Sequence, residues 1–168
     1  MQSHSSSSCG KPALKELIAV PEADNLDNLN VMKNLVNVLI SISERRTDHV
    51  HAMMTMDTLI KQLEPQFNFL KNIHIRENFY SESEEMISVM SDINAVKPTE
   101  LAKAIYALIV AMYEVLGDLV STLFIEEIKQ ALGYKNVYRM REIGVNFTRL
   151  QLDIEFKHLL RMFSRKKM

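Results

Sequence analysis

Asp48, His49 and His51 stand together in this chain, with His74 further on, and they are the residues whose types come nearest to a metal site. A helix presents ligands on one face only when they are three or four positions apart, so His49 and His51 point in different directions. Asp48 and His51 do share a face, but two ligands fall short of what a zinc ion takes. These residues read as a surface histidine cluster, and neither a metal nor a cofactor is expected.

General acid–base chemistry asks for carboxylates held across a cleft. The pairs Glu84 with Glu85, Glu126 with Glu127, and Asp153 with Glu155 are adjacent or nearly so, and each reads as a solvated helix face. The sequence contains no Gly-rich phosphate loop, nucleophile elbow or HExxH stretch. The expectation is a protein that is not an enzyme and takes no small-molecule substrate. Cys9 is the single cysteine, which rules out an internal disulfide or a thiolate metal site and suits a reducing compartment. Twenty Lys and Arg against 21 Asp and Glu give a net charge of −1. With no basic field to hold a phosphate backbone, nucleic-acid binding is not expected.

The elements that must carry these residues are helices. Four Gly, four Pro and no Trp among 168 residues, with Leu, Ile, Met, Glu, Lys and Ala plentiful, favour an all-α chain. The length suits one domain. Residues 1–23 form a Ser-rich, Pro-containing tail expected to be disordered, in which Leu14 to Val20 has the makings of a short docking helix. Residues 24–168 then form a single bundle of about four to five helices. The tail has no apolar run behind a basic start, so it does not read as a secretory signal; an intracellular protein is expected, cytoplasmic or nuclear.

The bundle is expected to be organised around a long apolar central helix over about residues 100–132, between Thr99 as a cap and Gly133 as a stop. Ala104 to Ile125 has the length of a membrane span. Glu114 and Asp118 interrupt it on one face, where each charge would cost about 2.5 to 3.5 kcal/mol in a bilayer, so a buried core helix is preferred. The two acids should then reach solvent or a cation such as Arg139, Arg141 or Arg149.

Before that helix, a coiled-coil-like stripe runs through Met32, Leu35, Leu39, Ile42, Arg46, His49, Met53, Met56, Ile60, Leu63, Phe67 and Leu70 in steps of three and four. It reads either as one long helix with a polar notch at Arg46 and His49 or as a hairpin turning near 43–48, and the unbroken register favours the long helix. Pro65 should end or kink it. Ser81 and Glu84 have capping-box spacing, predicting a helix over 82–96 with Met86, Val89, Met90 and Ile93 inward. Asn136 should cap a last helix with Val137, Met140, Ile143, Phe147, Leu150, Ile154 and Leu159 as its stripe, widened by Leu152, Phe156 and Phe163.

Within the apolar run, Ile109, Tyr113, Leu116, Gly117, Asp118 and Val120 resemble the spacing of a BH3 segment, the amphipathic helix of apoptosis regulators, although Tyr113 stands where that motif has leucine. The resemblance implies a helix that lays apolar anchors and an aspartate into a groove.

Two functions are therefore expected. The first is a non-enzymatic interaction or scaffold protein acting by helix–helix association with a protein partner or itself, through Leu35, Leu39, Met53, Met56 and Ile60. The second is a membrane-associating helical protein, apoptosis-regulator-like or peripheral, using the central helix and the basic tail of Arg161, Arg165, Lys166 and Lys167.

Overall fold

The computed structural model describes residues 27–76 and 85–167. The serine run, Cys9, Leu14 to Val20 and the Ser81–Glu84 capping box lie outside the described residues. Among the described residues, five α-helices carry the fold, with one two-stranded ribbon between the second and third.

Helix α1 (Asn28–Glu44) is capped by Asp27, whose carboxylate accepts from the Asn30 amide. Its Met32, Leu35, Val36, Leu39 and Ile42 are buried. The expected long helix is instead a hairpin, because α1 stops at Glu44 and α2 (His49–Leu63) starts afresh. The turn has its own hydrogen bonds, which compete with helix continuation. The Thr47 hydroxyl donates to the Ser43 carbonyl at 2.9 Å, and the Asp48 carboxylate accepts from the His51 amide at 2.8 Å. The stripe thus folds back on itself, with Met53, Met56 and Ile60 of α2 buried in the same core as Leu35 and Leu39 of α1. Helix α2 ends two residues before Pro65, as a proline requires.

Residues 85–96, the described part of the expected helix over 82–96, do not form an α-helix. Strand β1 (Ile73–Ile75) pairs antiparallel with β2 (Ile87–Val89), placing Ile73 opposite Val89 and Ile75 opposite Ile87. The β-branched Ile87 and Val89 suit a pleated, half-buried surface better than a helix. A 3₁₀ turn over Ser91–Ala95 follows and buries Ile93, whereas Met86 and Met90 are exposed. Asn28 ties this turn to α1 by donating to the carbonyls of Ile93 and Val96.

The central apolar run is two helices rather than one. Helix α3 (Pro98–Leu116) starts with its proline in the first turn and no side-chain cap, so Thr99 has no capping role. It ends at Gly117, whose backbone turns to φ 55° and ψ −120°. A 3₁₀ turn over Gly117–Leu119 leads to α4 (Phe124–Glu142), and Ser121 Oγ accepts from the Leu123 amide between them. No helix among the described residues is long and apolar enough to cross a membrane. Gly133 leaves the helical region inside α4, at φ 76° and ψ 161°. Asn136 does not cap a last helix: its amide donates to the Leu132 carbonyl and accepts from Asn34 of α1. Helix α5 (Phe147–Lys166) begins instead after Gly144, capped by Asn146 on the Arg149 amide. The helix at the centre of the packing is α1, which lies against α2, α3 and α4.

Candidate interaction surface

The five apolar residues expected to offer an association seam are core residues. Leu35, Leu39 and Met56 have no exposed surface, and Met53 and Ile60 retain 2% each. They share one core between α1 and α2, so the seam is taken up by packing within the hairpin. Met54 does reach solvent, but it stands apart from the buried Met53 and Met56.

The surface that the structure does offer lies on α5. Its first half packs Phe147, Leu150 and Ile154 into the core. Beyond Ile154 the polarity of the helix turns inside out. Lys157 and Arg161 point inward to Glu114 of α3, at 2.5 and 3.0 Å. The Arg161 guanidinium also stacks 4.6 Å above the Tyr113 ring, and the Tyr113 hydroxyl lies 3.5 Å from Nδ1 of His158. Arg165 pairs with Asp118. Rising residue numbers on α3 meet rising numbers on α5, from Arg149 over the Tyr106 ring to Arg165 at Asp118, so the two helices run parallel. Hydrogen bonding from Lys157, reinforced by Arg161, holds the Glu114 carboxyl below the usual carboxylate range. Burial pushes the Tyr113 phenol up.

Glu114 and Asp118 thus meet cations, but on α5 rather than at Arg139, Arg141 or Arg149. The helical continuity that a BH3-like segment requires is absent, because Gly117, Asp118 and Val120 lie beyond the end of α3. Of the basic tail, Arg161 is held partly buried at Glu114 and Arg165 pairs with Asp118 at the surface, while Lys166 and Lys167 are exposed at the end of α5.

Because the cations occupy the inner side, the outer side of α5 is apolar. Leu152, Phe156 and Phe163 are 60–62% exposed, and Leu159, Leu160 and Met162 about half exposed. Leu152, Phe156, Leu159 and Phe163 follow one another at four, three and four residues. At 3.6 residues per turn they fall within an arc of about 60°, opposite Leu150 and Ile154. Sequence reading placed three of them as a widening of the buried stripe and Leu159 within it; the outward turn of this face depends on the Glu114 and Asp118 pairings, which periodicity does not encode.

Two smaller features complete the candidates. A cleft of about 470 Å³ lies between the starts of α3 and α5, lined by Thr99, Lys103, Tyr106, Val145, Asn146 and Arg149. The Asp48–His51 group is accounted for by the α2 cap and by a 3.2 Å contact of His49 with Glu44. Among the described residues, no three His, Cys, Asp or Glu side chains are grouped to hold a metal ion. No protein-family model, curated protein or solved structure matches this chain.

Proposed function

We propose that this chain is a non-enzymatic association module of the cell interior that acts by docking another helix on the outer face of α5. The observation that carries this reading is the inverted polarity of α5, with Lys157 and Arg161 turned toward Glu114 of α3 and Leu152, Phe156, Leu159 and Phe163 turned away from the bundle. A contiguous apolar stripe at heptad spacing costs solubility when left bare, and it has the footprint of a single packed helix. A second reading, contact with an anionic membrane, draws on Lys166 and Lys167 beside Phe163. It is weaker, because the other two cations of the tail are held by Glu114 and Asp118.

The test is a photoreactive side chain at position 159, with position 142 on α4 as control, activated in intact cells. Covalent adducts to protein at 159 and none at 142 are expected. Adducts to lipid alone, or none at 159, would refute the reading.

A further inference from the structure

The geometry points to a second copy of this chain as the occupant of the α5 face, with the two α5 helices packed antiparallel about a two-fold axis. This rests on the reading of α5 as a helix-docking surface and names the partner.

Area is the first argument. Leu152, Phe156, Leu159 and Phe163, half or more exposed, stand on this face, and Leu160 and Met162, about half exposed, flank it. At roughly 100 Å² apiece the four would bury about 400 Å² per copy, and the two flanking side chains raise the limit to about 600 Å² per copy, or about 1,200 Å² for the dimer, which is the lower edge of specific interfaces. A membrane or a short peptide has no need of so regular a seam, whereas an isologous pair requires a self-complementary one.

The second argument is shape. Antiparallel packing centred between Phe156 and Leu159 sets Phe156 against Leu159 of the other copy and Leu152 against Phe163. Each layer then joins one large and one smaller side chain, which interdigitate. A parallel, in-register pair would instead stack phenylalanine on phenylalanine and leucine on leucine.

Charge is the third. The first half of α5 carries Arg149, Asp153 and Glu155, and its end carries Lys166 and Lys167. An antiparallel pair sets these basic ends at opposite ends of the interface. A parallel pair would set the basic ends side by side. The inner cations play no part, since Arg161 and Arg165 are already paired within each copy.

The experiment uses the full chain with Cys9→Ser, which removes its single cysteine. Sedimentation from about 1 to 200 µM, a range covering the micromolar affinities typical of so small an interface, should show a monomer–dimer equilibrium. Phe156→Ser with Phe163→Ser should weaken it at least thirty-fold while circular dichroism stays unchanged, both side chains being surface groups. For direction, protein carrying Leu152→Cys is mixed with protein carrying Phe163→Cys and oxidised. Mixed disulfide dimers are expected. Dimers that form by disulfide from the Phe163→Cys protein alone, and not in the mixture, would overturn the antiparallel arrangement. A monomer at every concentration would overturn self-association, and protein adducts at position 159 in cells would then leave the docking role standing with a different partner. A monomer that floats with anionic vesicles and loses flotation with the Phe156 and Phe163 changes would overturn both.

Discussion

Tyr113 is the side chain on which α3, α4 and α5 converge, and replacing it separates the contributions that hold α5 in place. It has no exposed surface, its ring lies 5.8 Å from that of Phe124, and Arg161 stacks on its other side at 4.6 Å. Truncating a buried aromatic costs about 3–5 kcal/mol through lost transfer energy and the cavity left behind. The lost cation–π contact adds about 0.5–1 kcal/mol, since Arg161 is partly exposed. Tyr113→Ala should therefore cost about 4–6 kcal/mol, a fall in Tm of roughly 10–20 °C for a chain of this length. Tyr113→Phe keeps the ring and removes only a hydroxyl that meets His158 at 3.5 Å, the far limit of a hydrogen bond, so it should cost under about 0.5 kcal/mol. Urea unfolding followed by circular dichroism gives both values. The pH profile supplies a second reading. The phenol is raised by burial, so its contribution is complete below the usual tyrosine value of about 10 and is lost as pH rises through the folded value. Tyr113→Phe should lose less stability than the unmodified protein in that range. If Tyr113→Phe proved as damaging as Tyr113→Ala, the hydroxyl and not the ring would be the anchor, and the packing argument would fail.

Further outcomes follow from other positions. Glu114→Gln should cost about 1 kcal/mol at low salt, since two partly exposed ion pairs are weakened, and most of that difference should vanish in 1 M salt. Because the Glu114 carboxyl is held low, its contribution is present above the ordinary carboxylate value and fades as pH falls through the folded one; the variant should show a shallower acid-side loss in thermal scans. Leu39→Asp or Ile60→Asp should unfold the chain, by loss of helical signal, rather than dissociate a folded oligomer, because both sites lie in the core. Gly117→Ala should lower stability by about 1–2 kcal/mol in urea titration, although a Cβ there meets no neighbour within 4 Å, because only the positive φ opposes it.

The helical class was legible from composition, and the end of α2 from Pro65. The stripe from Met32 to Leu70 was legible as a set of packing residues, but its register survives the turn at 45–48, so periodicity alone did not separate a long helix from a hairpin. The cue was the run of Thr47 and Asp48, whose side chains compete for the backbone bonds that a helix would use. Gly117 carried a similar cue in GDLVS, masked by apolar residues on both sides. The ribbon at 87–89 was missed because ISV fits either periodicity over so short a span, and its partner lies 14 residues away across the sheet. For α5 the sequence shows two apolar faces. Only the pairing of Glu114 with Lys157 and Arg161 decides which one turns outward, and that pairing joins positions more than 40 residues apart.

The place of α1 at the centre of the packing carries a consequence for the order of events on the ribosome. The helix synthesised first among the five is closed in by α4, whose Asn136 bonds to Asn34 across 102 residues. At about 5–20 residues per second, the oily side of α1 waits roughly 5–20 s for its last cover to be made. Until then α2 can shield it only in part, so nascent chains stopped before residue 142 should engage holding chaperones, and chains released there should clump. The folded bundle thus rests on contacts that the growing chain lacks until α4 has been made.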